Sequence, residues 1–128
     1  MNLLLDTHAL LWFIAGSDRV TPAAREAIVR PENLKLVSIA TLWEMAIMVS
    51  LGRLRTQEAL EPFILRQMEL NGFQLLHIQP FHACRVAELP FHHRDPFDRL
   101  LAAQCLCDDL TLISGDAAFD DYGVGRIW

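Results

Sequence analysis

Four carboxylates stand apart from the other acidic residues because of the company they keep. Between residues 1 and 17 the only formal charge is Asp6, directly after Leu3, Leu4 and Leu5, and between residues 36 and 52 it is Glu44, flanked by Trp43 and Met45. Asp98 sits three places beyond Asp95 in His92-His93-Arg94-Asp95-Pro96-Phe97-Asp98-Arg99, and Asp116 closes Leu112-Ile113-Ser114-Gly115-Asp116. A carboxylate among apolar neighbours is costly to ionise, because burial favours its neutral form unless a cation or hydrogen-bond donors compensate. Gathered in one cleft, four such groups repel, and a hard divalent cation with oxygen ligands relieves the repulsion. Mg²⁺ or Mn²⁺ suits such a site: it takes one or two carboxylates, keeps several waters and also binds phosphate oxygens.

Each residue also has a plainer role open to it. Asp6 can cap the helix that follows it, and Glu44 can pair with Arg53 or Arg99. Asp95 at the N-cap, Pro96 at the first helical position and Asp98 at the third make a start resembling a capping box, where both charges favour the positive helix end. Asp120 and Asp121 are expected at the solvated surface. The five histidines are His8, His77, His82, His92 and His93, and none is spaced with a cysteine as in a zinc site. His77 and His82 read as structural, whereas His8 and His93 fall near the acidic positions and are candidates for touching phosphate or moving a proton.

The elements that must position these groups follow from the apolar pattern. Asn2 to Leu5 reads as a strand buried on both faces, and Thr7 to Ala15 as a helix ending at Gly16. Thr21 and Pro22 start a helix through about Val29; Leu34 to Val37 is a second strand; Ser38 caps a helix to about Leu51, stopped at Gly52. Thr56 is expected to cap a helix over Glu58 to Leu70 with Asn71-Gly72 as its stop. Phe73 to His77 reads as a third strand, Pro80 to about Leu89 and Asp95-Pro96 to about Asp108 as helices, Leu112-Ile113 as a strand, Ala117 to Phe119 as a short segment and Gly125 to Ile127 as an edge strand. Strands alternating with helices imply a three-layer α/β/α domain with a central parallel sheet, and such sheets bind ligands beyond the carboxyl ends of their strands. Asp6 and Asp116 each fall just past such an end.

The 128 residues fit a single domain, residues 1–128, and 52% hydrophobic content provides ample core and excludes a disordered chain. A formal charge of −5 provides no global field for nucleic acid, so any such contact must be local; ten of the eleven cations are Arg, and Lys35 is the only lysine. Cys84, Cys105 and Cys107 cannot all pair with one another, which argues against a disulfide scaffold. Neither a secretion signal nor a membrane span fits the opening residues, so a cytoplasmic location is expected.

The same residues carry a resemblance. Leu5-Asp6-Thr7-His8-Ala9-Leu10-Leu11-Trp12, Leu42-Trp43-Glu44, the run from His93 through Asp98-Arg99-Leu100-Leu101-Ala102-Ala103-Gln104, and Ser114-Gly115-Asp116 with Phe119 resemble, in order and nearly end to end, the PIN-domain ribonucleases, and among them the VapC-like toxins of bacterial toxin–antitoxin pairs. That resemblance implies a Mg²⁺- or Mn²⁺-dependent endoribonuclease with Asp6, Glu44, Asp98 and Asp116 as catalytic, metal-binding residues and Asp95 in a secondary place. It implies an antitoxin partner whose segment packs into a groove of the helical pair spanning roughly residues 39–71, and a homodimer. Where the family often carries Thr, this chain has Ser114, which keeps a hydroxyl. Arg94, Arg99, Ser114 and His8 are candidate substrate contacts, the arginines because guanidinium pairs bidentately with phosphate. Rival readings fit less well. A receiver-like phosphorylation module needs a late lysine, and a haloacid-dehalogenase-like phosphatase needs an aspartate where His8 stands; the alternative that stays open is a catalytically inactive PIN-like module that binds RNA or protein, against which all four carboxylates are present.

Overall fold

Asn2–Leu5 is an apolar run whose side chains must point alternately to opposite sheet faces. In a computed structural model describing residues 1–128, Leu3 and Leu5 enter one core with Leu10, Ile28, Met45 and Ile64, while Leu4 enters a second with Leu36, Leu101 and Phe119. This strand, β1, is therefore covered on both sides. The chain continues through α1 (Thr7–Ile14), α2 (Pro22–Val29), β2 (Leu34–Ser38), α3 (Ile39–Ser50), α4 (Leu60–Asn71), β3 (Phe73–Leu76), α5 (Pro80–Arg85), α6 (Pro96–Asp108), β4 (Thr111–Ile113) and β5 (Arg126–Ile127). Tight 3-10 turns occupy Val86–Glu88 and Ala117–Tyr122.

The five strands pair only in parallel, in the order β3-β2-β1-β4-β5, which gives the expected three-layer α/β/α architecture. Leu5 pairs with Val37 on one side and Ile113 on the other. The strand order reverses between β1 and β4, and the crevice at such a reversal is where open α/β sheets accept ligands. Because α6 returns the chain to the start of β4, its first turn opens at this same carboxyl edge. No helix is long and apolar enough to cross a membrane.

Local signals hold at most boundaries. Thr21 accepts from the Ala24 amide with Pro22 at the helix start, Ser38 accepts from the Ala40 amide, and Gly72 ends α4 at φ 69°. Two expectations fail for identifiable reasons. The Thr56 hydroxyl donates to the Glu58 carbonyl at 2.5 Å instead of capping a helix, so α4 begins later, at Leu60, without a side-chain cap. The α-helix from Pro80 gives way after Arg85 to the 3-10 turn, and the run stops at Leu89 because Pro90 has no N–H for the Val86 carbonyl and holds Leu89 extended; the Arg99 guanidinium takes the Val86 and Leu89 carbonyls at 3.1 and 3.2 Å. Gly72 tests the boundary argument. An L side chain is strained at its left-handed φ, so Gly72→Ala is expected to lower stability by about 1 kcal/mol, read as a lower urea midpoint at unchanged slope.

Candidate active site

The site is built where β1 and β4 end side by side. The Asp6 amide donates to the Ile113 carbonyl at 3.1 Å, which fixes the backbone of the first carboxylate to the neighbouring strand. Its Oδ1 accepts from the Ala9 amide at 2.8 Å, so Asp6 does cap α1. Capping and site membership are compatible, because the carboxylate still faces Ser114 and the Asp116 charge. Burial, opposed by the Ser114 hydroxyl, the Ala9 amide and His8, pushes the Asp6 carboxyl above its ordinary value, and Asp116 adds to the rise.

Asp98 is the most perturbed of the four. It occupies the first turn of α6, one turn after Asp95, whose Oδ1 accepts from the Phe97 and Asp98 amides at 2.8 and 3.3 Å. Asp95 is thus the N-cap, with its carboxylate engaged by the helix. Burial first, then the charges of Asp95, Asp6 and Glu44, raise the Asp98 carboxyl to about 7, against a lowering by His93. The topology therefore brings Asp6, Glu44 and Asp98 close enough to feel one another. Glu44 projects from α3 and pairs with neither Arg53 nor Arg99; its Oε1 instead accepts from the Thr7 hydroxyl at 2.5 Å. Asp116 completes the group from the turn after β4. Burial pushes its carboxyl up, but the Ala118 amide, His93 and Arg126 outweigh burial and hold it below the ordinary range.

His93 ties two of these groups together. Its Nε2 lies 3.0 Å from Asp116 Oδ2 and 3.1 Å from Asp98 Oδ2. Its Nδ1 accepts from the Asp95 amide at 3.2 Å, so the ring proton must reside on Nε2 and is shared by both carboxylates. Although His93, Asp98 and Asp116 cluster within 4.8 Å, the nitrogen facing the carboxylates in this tautomer is a donor, not a lone pair. Two anions share this one N–H, and the Asp6 and Glu44 charges also act on Asp98, so the group remains underneutralised. A hard cation held by carboxylate oxygens fits this donor set.

Two candidate substrate contacts need correction. Arg99 is buried, and its guanidinium donates to the carbonyls of Pro90, Val86 and Leu89 and to the Tyr122 hydroxyl. It has no reach to a phosphate. Tyr122 in turn accepts from the His93 amide at 2.8 Å, so Arg99 anchors the segment that positions His93. Ser114 is fully buried and its Oγ accepts from the Asp116 amide at 3.0 Å, so it shapes the site from within and does not meet substrate. Arg94 and His8 are exposed, His8 beside Asp6. Sequence reasoning did not reach Thr7 as the partner of Glu44, nor Arg99 as an anchor; for His93, only its nearness to Asp95 and Asp98 in the chain was a signal. His82 is structural as expected, with Nδ1 accepting from the Gln79 amide and Nε2 bonded to Asp108 at 2.9 Å.

The family model for the PIN domain matches residues 3–125. The chain belongs to the PIN-domain family. Solved structures with the same fold include VapBC2 from Rickettsia felis bound to a DNA fragment from their promoter, at TM-score 0.72 and 14% identity over 99% of this chain and 98% of that one. VapBC-1 from nontypeable Haemophilus influenzae aligns at 0.68 and 15% over 99% and 97%, and a toxin–antitoxin complex from Klebsiella pneumoniae at 0.62 and 20% over 98% and 96%. No curated protein sequence matches significantly. The PIN fold is thus retained at identities too low to carry more than the fold.

Arg99→Met removes the guanidinium donor from the buried Leu89 carbonyl and from the carbonyls of Val86 and Pro90, and is expected to cost about 2 kcal/mol in chemical denaturation; an unchanged midpoint would refute the anchor. A carboxyl raised in the folded state loses stability as pH climbs from the ordinary carboxylate range to about 7. In chelator, Asp98→Asn should therefore melt several degrees above the parent at pH 8 and close to it at pH 4, and a gain of equal size at both pH values would contradict the shift.

Proposed function

We propose that this PIN domain is a divalent-metal-dependent endoribonuclease and the toxin of a toxin–antitoxin pair. One observation carries the reading: Asp98 is held at about 7 by its burial and by the neighbouring charges of Asp95, Asp6 and Glu44, at the crevice where the sheet order reverses. A stable fold has no use for such crowding, but a site for hard cations and phosphate does. Asp6 and Asp98 are the primary holders of Mg²⁺ or Mn²⁺, with Glu44 and Asp116 holding a second ion or acting through water. Bound there, the metal would supply charge neutralisation at the scissile phosphate and a lowered pKa for the attacking water.

The chain's own residues set the geometry. The Ala9 amide and Ser114 fix the Asp6 carboxylate, Thr7 fixes Glu44, and the His93 N–H orients Asp98 and Asp116 toward each other. Arg94 is exposed beside the first turn of α6 and makes no ion pair, which leaves it free to take a phosphate of the RNA. In-line attack of water on phosphorus, with the P–O3′ bond breaking and O3′ leaving as a hydroxyl, would leave 5′-phosphate and 3′-hydroxyl ends. The antitoxin reading is supported by the fold shared with VapBC and toxin–antitoxin structures. It is also supported by a groove of about 600 Å³ between α3 and α4, lined by Ile39, Leu42, Leu60, Ile64, Leu65 and Leu75. An apolar helix face can lie in such a groove.

Asp6→Asn keeps the acceptor for the Ala9 amide, so it is expected to fold as the parent does while losing RNA cleavage at least about a hundredfold, a loss of transition-state stabilisation, and relieving growth arrest on expression. Mg²⁺ or Mn²⁺ should raise the melting temperature of the parent and leave that of Asp6→Asn nearly unmoved. RNA cleavage by Asp6→Asn at the parent rate would end the catalytic assignment.

A further inference from the structure

We propose that the cleft between α1 and the Ser114–Asp116 turn is a nucleobase subsite, in which an unpaired base of single-stranded RNA stacks on Trp12 and Trp128 while Arg19 takes the adjoining phosphate. The proposal rests on the nuclease reading and adds to it where the substrate is gripped. The cleft has a volume of about 440 Å³, and Asp6 and Asp116 form one side of it. It therefore opens directly onto the acidic site. The remaining walls are Trp12, Trp128, His8 and Arg19.

The walls have the chemistry of a stacking platform. The Trp12 and Trp128 ring centroids are 5.8 Å apart at 48°, and the His8 ring lies 5.6 Å from that of Trp12. Both indoles pack on the core beneath them and neither is buried, so rigid aromatic surface is held at the mouth of the cleft. Aromatic faces beside a backbone-binding cation are how single strands are held with little regard to sequence. Arg19 is that cation: it is exposed, its Cζ lies 5.4 Å from the Trp12 ring centroid, and no carboxylate pairs with it. In a chain of net charge −5, an unpaired guanidinium next to two site carboxylates is a local attractor for phosphate.

Gly115 links this platform to the site. A Cβ at that position would lie 3.0 Å from Trp128 Nε1 and 3.1 Å from Cε2, so the indole rests against the backbone of the turn that carries Asp116. A side chain at 115 would require Trp128 to shift by a few tenths of an ångström against the turn, moving the platform relative to Asp116.

The test uses the full chain with Trp43→Phe, so that emission reports Trp12 and Trp128, and with Asp98→Asn, so that RNA is not consumed. Titration in Mg²⁺ with a short single-stranded oligoribonucleotide is expected to quench the emission. Trp12→Leu and Gly115→Ala should weaken binding about tenfold, and Trp12→Phe should recover most of the loss. Arg19→Ala, a surface change that cannot disturb the core, should weaken binding and flatten its salt dependence. In the cleaving chain the same changes should raise KM far more than they lower kcat. Cleavage by the parent with no quench, and with Trp12→Leu and Arg19→Ala kinetically unchanged, would overturn the subsite and leave the nuclease reading standing. A quench abolished by Trp12→Leu in a protein whose parent never cuts RNA would do the reverse, and a chain showing neither quench nor cleavage would overturn both.

Discussion

Like charges confined at close quarters in a partly dry cleft set the terms for everything else in this molecule. Asp98 is pushed up by burial and by three neighbouring acids, and Asp6 by burial and Asp116. No arginine makes an ion pair with any of the four carboxylates; Arg126, paired with Asp120, lowers Asp116 only through its more distant charge. The folded chain answers with a set of mostly neutral donors: the Ala9 amide and Ser114 hydroxyl for Asp6, the Thr7 hydroxyl for Glu44, and the His93 ring for Asp98 and Asp116. Neutral donors orient carboxylates without cancelling them, whereas a guanidinium would have consumed the charge. The cleft therefore keeps a deficit of positive charge that a cation can fill.

Holding repelling groups in place demands a stiff frame, and the fully buried strands β1 and β4 lie directly behind them. Leu3, Leu4, Leu5, Leu112 and Ile113 are all fully buried, and the β1 and β4 ladder continues into the amide of Asp6 itself. Close-packed side chains on both faces leave these strands little room to splay. The third support is the buried Arg99, whose guanidinium gathers carbonyls from the loop before α6 and the hydroxyl of Tyr122. Tyr122 holds the His93 amide, and Asp95 accepts the first amides of α6. Arg99 thus acts on the acidic cleft through backbone geometry and not through its charge. The same economy shows at Gly115, where the missing side chain lets Trp128 sit against the turn of Asp116.

Much of this was legible in the residues in order. Asp6, Glu44, Asp98 and Asp116 are conspicuous because each carries charge into apolar or helix-starting surroundings, and β1, α2, β2, α3 and α6 announce themselves through burial pattern, proline and small polar caps. Those signals are local: a Thr-Pro or Asp-Pro start, an Asn-Gly stop and a leucine run act within a few residues whatever the rest of the chain does. Where local signals misled, a distant or alternative partner had intervened. The Thr56 hydroxyl found the Glu58 carbonyl instead of a helix start, and Arg99 turned inward to the carbonyls of Val86, Leu89 and Pro90.

Side-chain character and short-range periodicity were enough to mark which residues carry charge, which strands are buried on both faces and that helices alternate with parallel strands. Long-range packing is what set β4 beside β1, and so Asp116 near Asp6, and what gave Glu44 the Thr7 hydroxyl in place of an arginine. It also decided that His93 bridges two aspartates and that Arg99 faces inward. Those outcomes turn on partners 23 to 37 residues away in the chain for Asp116, Tyr122 and Glu44, and on the competition for each donor among all acceptors the fold brings within reach. No spacing rule carries that information, because it comes into being only when the strands pair.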